Sequence, residues 1–279
     1  MLDITAIILT KNEEMNLPDC IRSIQHFVRR IIVVDSYSTD NTVQIAQRMG
    51  AEVLQHKWIN LAKQYMWAME QIQIDTEWIF RIDADERISA EAAKEIEAIC
   101  RNDDPAINGI VIRYTVEFMG KELKHGGIYP FKKLLIYRNG HGKIEDRAMD
   151  EHIVLLDGRA IELGHDSYHH DYKNIEAWIN KHNQYSTREV IDYYSNKQCK
   201  HEDGRMLYGT AKLKRWFKFN VYYRLPIGTR AHLYYIYRYY LRFGFLDGKE
   251  GKIFCFLQAY WYRFLVDAKI YEAELKERE

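Results

Sequence analysis

Three short apolar runs, each stopping at a polar loop that carries carboxylates, constrain this chain more than any other feature. They are residues 4–9 (ITAIIL) before Thr10-Lys11-Asn12-Glu13-Glu14, residues 31–34 (IIVV) before Asp35, and residues 78–82 (WIFRI) before Asp83. Such runs do not alternate strictly with polar residues and read as strands covered on both faces. Helical patterns lie between them. Asn16-Leu17-Pro18 opens one, with Leu17, Cys20, Ile21 and Ile24 as its apolar face. Residues 43–49 form a second, closed by Gly50, after the turn SYSTDNT. Val53-Leu54 begins a further strand, residues 59–72 read as a helix, and Ser89 caps another over residues 90–100 with Glu91 in its first turn. The alternation predicts an α/β fold built on a doubly wound parallel sheet with right-handed crossovers. Ligands of such sheets gather at the carboxyl ends of the strands, which singles out residues 10–14, 35–39 and 83–87.

Beyond Asn108 the pattern changes. GIVIRYTVEF and KKLLIYRN alternate as strands and are expected to be antiparallel and to cover the far side of the sheet; from Asn174 onward the reading is mostly helical. The 279 residues carry 40 Lys+Arg and 40 Asp+Glu, a balance that hides one asymmetry. Residues 212–243 hold eight cations (Lys212, Lys214, Arg215, Lys218, Arg224, Arg230, Arg238 and Arg242) and no acid, and 18 of the 38 aromatic residues fall between Trp216 and Phe264. Three readings fit that region: a nucleic-acid face, a helical hairpin packed by its aromatics, or a surface in a membrane interface. Its strongly apolar character favours the membrane interface over nucleic acid. The longest candidate span, residues 253–266, is interrupted by Gln258 and Arg263, so a peripheral rather than a spanning association is expected. Four scattered cysteines without a CxxC pair suit a reducing cytoplasm, and the N-terminus shows no signal-peptide pattern.

Asp83-Ala84-Asp85-Glu86 is the sharpest chemical signal. Two hard oxygen donors at a strand end suit Mg²⁺ or Mn²⁺ bridging a diphosphate, although acids also commonly begin a loop ahead of a helix. Asp35 could accept from a nucleobase N–H or a ribose hydroxyl, or simply cap the following turn. His165, His169 and His170 with Asp171 have spacings that match no common zinc arrangement.

Taken in order, IILTKNEEMNLPDCIRSI, IIVVDSYSTDNTVQIAQRMGAEV and WIFRIDADERIS resemble glycosyltransferase family 2, whose members have the GT-A fold. MDEH (149–152) and YHHDYKNIEAWINKHNQYS (168–186) are similar to the subgroup of lipopolysaccharide core β-1,4-glucosyltransferases, with His169, Tyr172, Lys181 and Tyr185 on its second pattern. KWINLAKQYMWAM departs from that subgroup, with Tyr65 and Met66 where Arg and Asn are usual. The resemblance implies a GT-A domain over residues 1–200 and a helical, membrane-associating extension over 201–279. It implies an inverting, metal-dependent transfer from a nucleotide sugar, a UDP-sugar, to a lipid-linked acceptor of cell-surface polysaccharide at the cytoplasmic face of a bacterial inner membrane. Thr10, Asn12, Glu13, Asp35, Ser38, Lys63, Asp83 and Ala84 would contact the nucleotide, and Asp85, Asp83 and His169 would hold Mn²⁺ or Mg²⁺. Glu151, with Asp150 second, would be the base, and the Asp83–Arg87 loop is expected to be exposed. No nucleic-acid partner is expected; a homo-oligomer is compatible with the aromatic region. The rival readings are a nucleotidyltransferase, for which TKNEE lacks a glycine- and cation-rich phosphate loop, and an inactive membrane-bound scaffold.

Overall fold

The apolar runs become the middle of one sheet in the computed structural model, which describes residues 1–102, 104–146, 151–198 and 225–276. β1 (Leu2–Thr10) lies between β2 (Val28–Asp35) and β4 (Trp78–Asp83) and pairs parallel with both; β3 (Glu52–Gln55) adds in parallel outside β2. Strand periodicity sends alternate side chains to opposite faces. Ile4, Ile8, Val33, Phe80 and Ile82 therefore pack with Leu17 and Ile21 of α1 (Leu17–Ile24), Ala46 of α2 (Thr42–Arg48) and Ala92 and Ile96 of α4 (Ala90–Asn102). Ile7, Ile32, Val34 and Ile79 pack on the other face with Ala62, Tyr65 and Ala68 of α3 (Leu61–Gln71). Both faces are covered, which is why these strands lack a polar side. The local signals hold as well. Ser89 Oγ accepts from the Ala92 N–H at 3.1 Å and Gly50 sits at φ +82°. Asn60, which the sequence reading did not mark, caps α3 by accepting from Lys63 N–H at 2.8 Å.

β6 (Ile107–Phe118) and β8 (Phe131–Arg138) are antiparallel to each other, as expected, but they do not cover a face of the sheet. They extend it in its own plane. β8 pairs antiparallel with β4, and β6 pairs parallel with β11 (Arg159–His169), giving the order β3-β2-β1-β4-β8-β6-β11-β5. The reason lies in their middles. Ile110, Val111 and Ile112 are all buried, as are Leu135 and Ile136, so both faces of these strands need cover. β5 (Glu86–Arg87) closes the order by pairing antiparallel with β11, and β9 (Gly142–Ile144) with β10 (Ile153–Leu155) forms a small hairpin.

The chain divides into two compact units at Tyr172, not at residue 200. The first comprises residues 1–117, 130–146 and 151–172; the described part of the second is residues 118–129, 173–198 and 225–276. The shift arises because α5 (Ile175–Gln198) packs with the C-terminal helices. Its Tyr185, Val190 and Tyr193 meet Tyr262, Val266 and Ile270 of the last helix (Tyr262–Lys276), and Glu189 accepts from Tyr262 Oη at 2.6 Å and Arg263 Nη1 at 2.7 Å. The second unit also contains β7 (Lys121–Leu123), α6 (Thr229–Ile236), a π-helical turn (Tyr237–Leu241), a 3₁₀ turn (Gly244–Asp247), α7 (Gly248–Phe254) and a further π-helical stretch (Cys255–Trp261) leading into the last helix, α8. Of the eight cations expected there, Arg230 and Arg238 are buried rather than displayed. Arg230 pairs with Asp267 at 2.5 Å, and Arg238 donates to the Gly126 carbonyl at 2.6 Å. Lys212, Lys214, Arg215, Lys218 and Arg224 lie outside the described residues.

Candidate functional site at the strand ends

The register sets Asp35 opposite Thr10 and Asp83 opposite Leu9, so the carboxyl ends of β1, β2 and β4 bring three of the expected loops together. Thr10 Oγ1 donates to Asp35 Oδ1 at 3.0 Å, and the other Asp35 oxygen accepts from the Ser38 N–H at 2.8 Å and from Gln55 Nε2 at 3.2 Å. Ser38 Oγ also donates to Asp35 Oδ1. Asp35 therefore does shape the 35–39 turn, and it does so while fully buried at the mouth of the sheet. Asn12, at φ +55°, ties the first loop to the second, donating its N–H to Ser38 Oγ at 2.8 Å and accepting the Thr39 N–H at 2.9 Å. Lys11 Nζ reaches the Ser36 carbonyl at 2.8 Å. Glu13 braces its own loop, accepting from Asn16 Nδ2 at 2.9 Å. Lys63, expected on a phosphate, holds Asp146 at 2.7 Å with both side chains exposed; such a pair contributes little and exchanges readily for another anion.

The Asp83–Arg87 loop, expected to be exposed, is half-buried at Asp83 and buried from Ala84 to Arg87, and two cations balance its acids. Lys133 Nζ sits 2.8 Å from Asp83 Oδ2 and 2.7 Å from the fully buried Glu86 Oε1, and Arg81 Nη2 donates to Asp83 Oδ1 at 2.8 Å. Burial alone would raise the Asp83 carboxyl, yet Arg81 and Lys133 outweigh it and hold it at about 2. Burial wins at Glu86, which is raised, with Lys133 opposing. Both Asp83 oxygens thus face cations, Oδ1 toward Arg81 and Oδ2 toward Lys133. Asp85 is different. Its Oδ2 lies 3.7 Å from His169 Nε2, and its carbonyl accepts from the His170 N–H at 2.9 Å and Arg87 Nη1 at 2.8 Å, which fixes the loop against the end of β11. Ala84 is buried between the two acids.

Among the described residues no group of three His, Cys, Asp or Glu side chains converges as a ready-made metal cage. The Asp85–His169 pair nonetheless fits Mg²⁺ or Mn²⁺ of the substrate-completed kind, which takes one or two protein ligands and fills its remaining positions with phosphate oxygens and water. Glu151 sits near enough for its charge to help raise the Arg81 guanidinium, after Asp83 and Glu86 and against burial. Asp150 lies outside the described residues. Tyr172 donates to Asp19 Oδ2 at 2.9 Å and lies under the Arg87 guanidinium at 4.6 Å. Lys133 and Arg81 were not singled out from sequence, whereas Glu86 was read only as the last member of Asp83-Ala84-Asp85-Glu86. Lys133 stands at the head of an apolar strand 47 residues after Glu86, and no local pattern marks a pairing made across the sheet. Gln64 is one of three positions, with Trp58 and Ala68, at which KWINLAKQYMWAM matches the subgroup pattern, and it donates to Ser36 Oγ at 3.0 Å.

A family model and relatives of known sequence agree on one assignment. A family model for glycosyl transferase family 2 matches residues 5–155. A protein of Rickettsia felis named only as a glycosyltransferase is 30% identical over 292 residues, spanning 100% of this chain and 93% of its own. The lipopolysaccharide core biosynthesis glycosyltransferase LpsC of Rhizobium meliloti is 25% identical over 285 residues, spanning 97% and 93%. Among solved structures, residues 1–349 of S. aureus TarS superpose on 98% of this chain and 92% of their own at a TM-score of 0.47 and 13% identity.

Proposed function

The chain belongs to glycosyltransferase family 2, and from that premise we propose that it transfers a sugar, with inversion, from a UDP-sugar to a lipid-linked acceptor of bacterial cell-surface polysaccharide at the cytoplasmic face of the inner membrane. The observation that carries the reading is the convergence of the Thr10–Asp35–Ser38 cluster and the Asp85–His169 pair at neighbouring strand ends. Asp35 and the backbone around Asn12 and Ser38 would meet the base and ribose. Asp85 and His169 would hold the divalent ion, whose charge neutralises that developing on the departing diphosphate. Arg81 and Lys133 hold Asp83 and Glu86 in place, so the loop that presents Asp85 is fixed before the donor arrives. Glu151 would take the proton of the acceptor hydroxyl as that oxygen attacks the anomeric carbon, and the nucleoside diphosphate leaves from the opposite face. The whole-length similarity to a lipopolysaccharide core transferase supports the acceptor class.

A thermal-shift and nucleotide-release panel tests the reading. It pairs UDP-glucose, UDP-galactose, UDP-GlcNAc, UDP-glucuronate, GDP-mannose and dTDP-rhamnose with Mn²⁺, Mg²⁺ or EDTA. One metal-dependent stabilisation with slow release of nucleoside diphosphate is expected, since a ligand that binds only the folded state stabilises it by mass action. Release of pyrophosphate would instead indicate nucleotidyl transfer. No response from any pair, in folded protein, overturns the proposal.

A further inference from the structure

We propose that the second unit carries a bilayer-docking surface, a continuous ladder of aromatic rings tipped by Phe243 and flanked by cations, that seats in the headgroup region of an anionic membrane. This goes beyond the transfer chemistry and needs none of it. The expectation of a broadly basic, lipid-facing region is narrowed by the fold, because Arg230, Arg238 and Arg263 are engaged inside the unit.

What faces outward instead is apolar and connected. Phe243 meets Phe245 edge-on with ring centroids 6.1 Å apart, and Phe245 meets Tyr239 at 6.2 Å. Tyr239 stacks on Tyr235 at 5.4 Å, which meets Phe256 at 6.4 Å; Phe256 stacks on Tyr260 at 5.6 Å, and Tyr260 on Phe264 at 6.0 Å. Along this ladder Phe243 is 55% exposed, Phe256 48% and Phe264 45%, while Leu241 and Leu246 beside the tip reach 66% and 57%. Exposed apolar residues are ordinary when scattered, but a contiguous run of this size marks an interaction face. Phe243 is also held at φ +59°, a left-handed conformation that is costly for a bulky residue, with its ring outward. The glycine after it permits the tight turn, since a Cβ on Gly244 would lie 2.7 Å from Cys255 Sγ.

The charges around the ladder choose the occupant. Between Tyr237 and Phe256 the exposed charged residues are Arg242, Lys249 and Lys252, all cations. Of the acids in the same stretch one is buried and the other is half-exposed and paired with a lysine. Asp247 is buried and accepts from His125 N–H at 2.8 Å, and Glu250 pairs with Lys121 at 3.5 Å. A basic rim around exposed aromatics complements an anionic lipid surface, where aromatic side chains settle at headgroup depth. A two-fold pairing of the face with a second copy would bring the same cations together and is disfavoured. No helix among the described residues is long and apolar enough to cross a bilayer, so the surface lies on the membrane.

The test is co-sedimentation of the full chain with sucrose-loaded vesicles of phosphatidylcholine alone or with 30% phosphatidylglycerol, at low and high salt. Binding to the anionic vesicles, weakened by salt, is expected. Phe243→Gly with Leu246→Ser removes two apolar tips at a site glycine tolerates and should weaken partition by more than about tenfold. Lys249→Glu with Lys252→Glu should cost about fivefold per lysine on anionic vesicles and little on neutral ones, and it keeps the test decisive if the first variant fails to fold. Equal binding to both vesicle types, or wild-type binding retained by both variants, overturns the proposal. So does a dimer in sedimentation velocity that the tip variant abolishes while vesicles bind neither protein.

Discussion

At the scale of the residue, the four charges Arg81, Asp83, Glu86 and Lys133 make the sharpest predictions. Asp83 titrates at about 2 when folded against an ordinary 3.8, a depressed value, so its contribution is fully present above about pH 4 and is lost as pH falls through 2. The shift corresponds to about 2 kcal/mol. Urea titrations of wild type and Asp83→Asn should therefore differ by at least that amount at pH 7, and the part due to this shift should shrink to about half by pH 3. An unchanged difference from pH 7 to pH 3 would show that Asp83 is not held by these cations. Lys133→Met strands the fully buried Glu86, a loss of about 3–5 kcal/mol for an uncompensated buried charge. Glu86 has a raised pKa, so this deficit should narrow as acid protonates it. Asp85→Asn is nearly isosteric and leaves the backbone bonds to Arg87 and His170 in place; it should lower metal-dependent turnover by about 10²-fold or more while the melting temperature stays within a few degrees. Retained turnover would remove Asp85 from the metal site.

At the scale of the element, what could be read from the sequence was what each segment decides for itself. The runs at 4–9, 31–34 and 78–82 are apolar on both faces, so their strands and the crossover helices between them follow from local pattern, as do the caps at Ser89 and Gly50. The carboxylates at strand ends followed from that, and with them Thr10, Asp35, Asp83 and Asp85. What could not be read was set across the sheet. Whether β6 and β8 cover a face or widen the sheet depends on which neighbours bury them, and Lys133 acquires its role only because β8 runs antiparallel beside β4. A cap that the sequence reading passed over is Asn60, since residue 59 was taken into the helix although Ile59 is 62% exposed. Asn60→Ala should cost about 1 kcal/mol in urea unfolding. Because α3 also delivers Gln64 to Ser36, the same change should weaken nucleotide binding, and a variant that loses stability without losing nucleotide affinity would separate the cap from the site.

At the scale of the whole molecule, two compact units imply two places where stability can be changed selectively. Removing residues 212–279 would be a poor test of membrane release, because it deletes the Tyr262, Val266 and Ile270 surface that covers α5 and leaves the buried Glu189 without Arg263. A point substitution is cleaner. Asp267 is 1% exposed and pairs with Arg230, itself 3% exposed, so Asp267→Asn removes a buried carboxylate charge from a buried guanidinium and should destabilise the second unit by about 3 kcal/mol. A true donor at 100 times its dissociation constant should stabilise the first unit by about 2.7 kcal/mol. Scanning calorimetry then distinguishes the two effects: donor with metal should raise one transition, and Asp267→Asn should lower another while donor binding persists. If both perturbations move one shared transition by comparable amounts, the units unfold as one cooperative block, and the division seen in the fold does not extend to its thermodynamics.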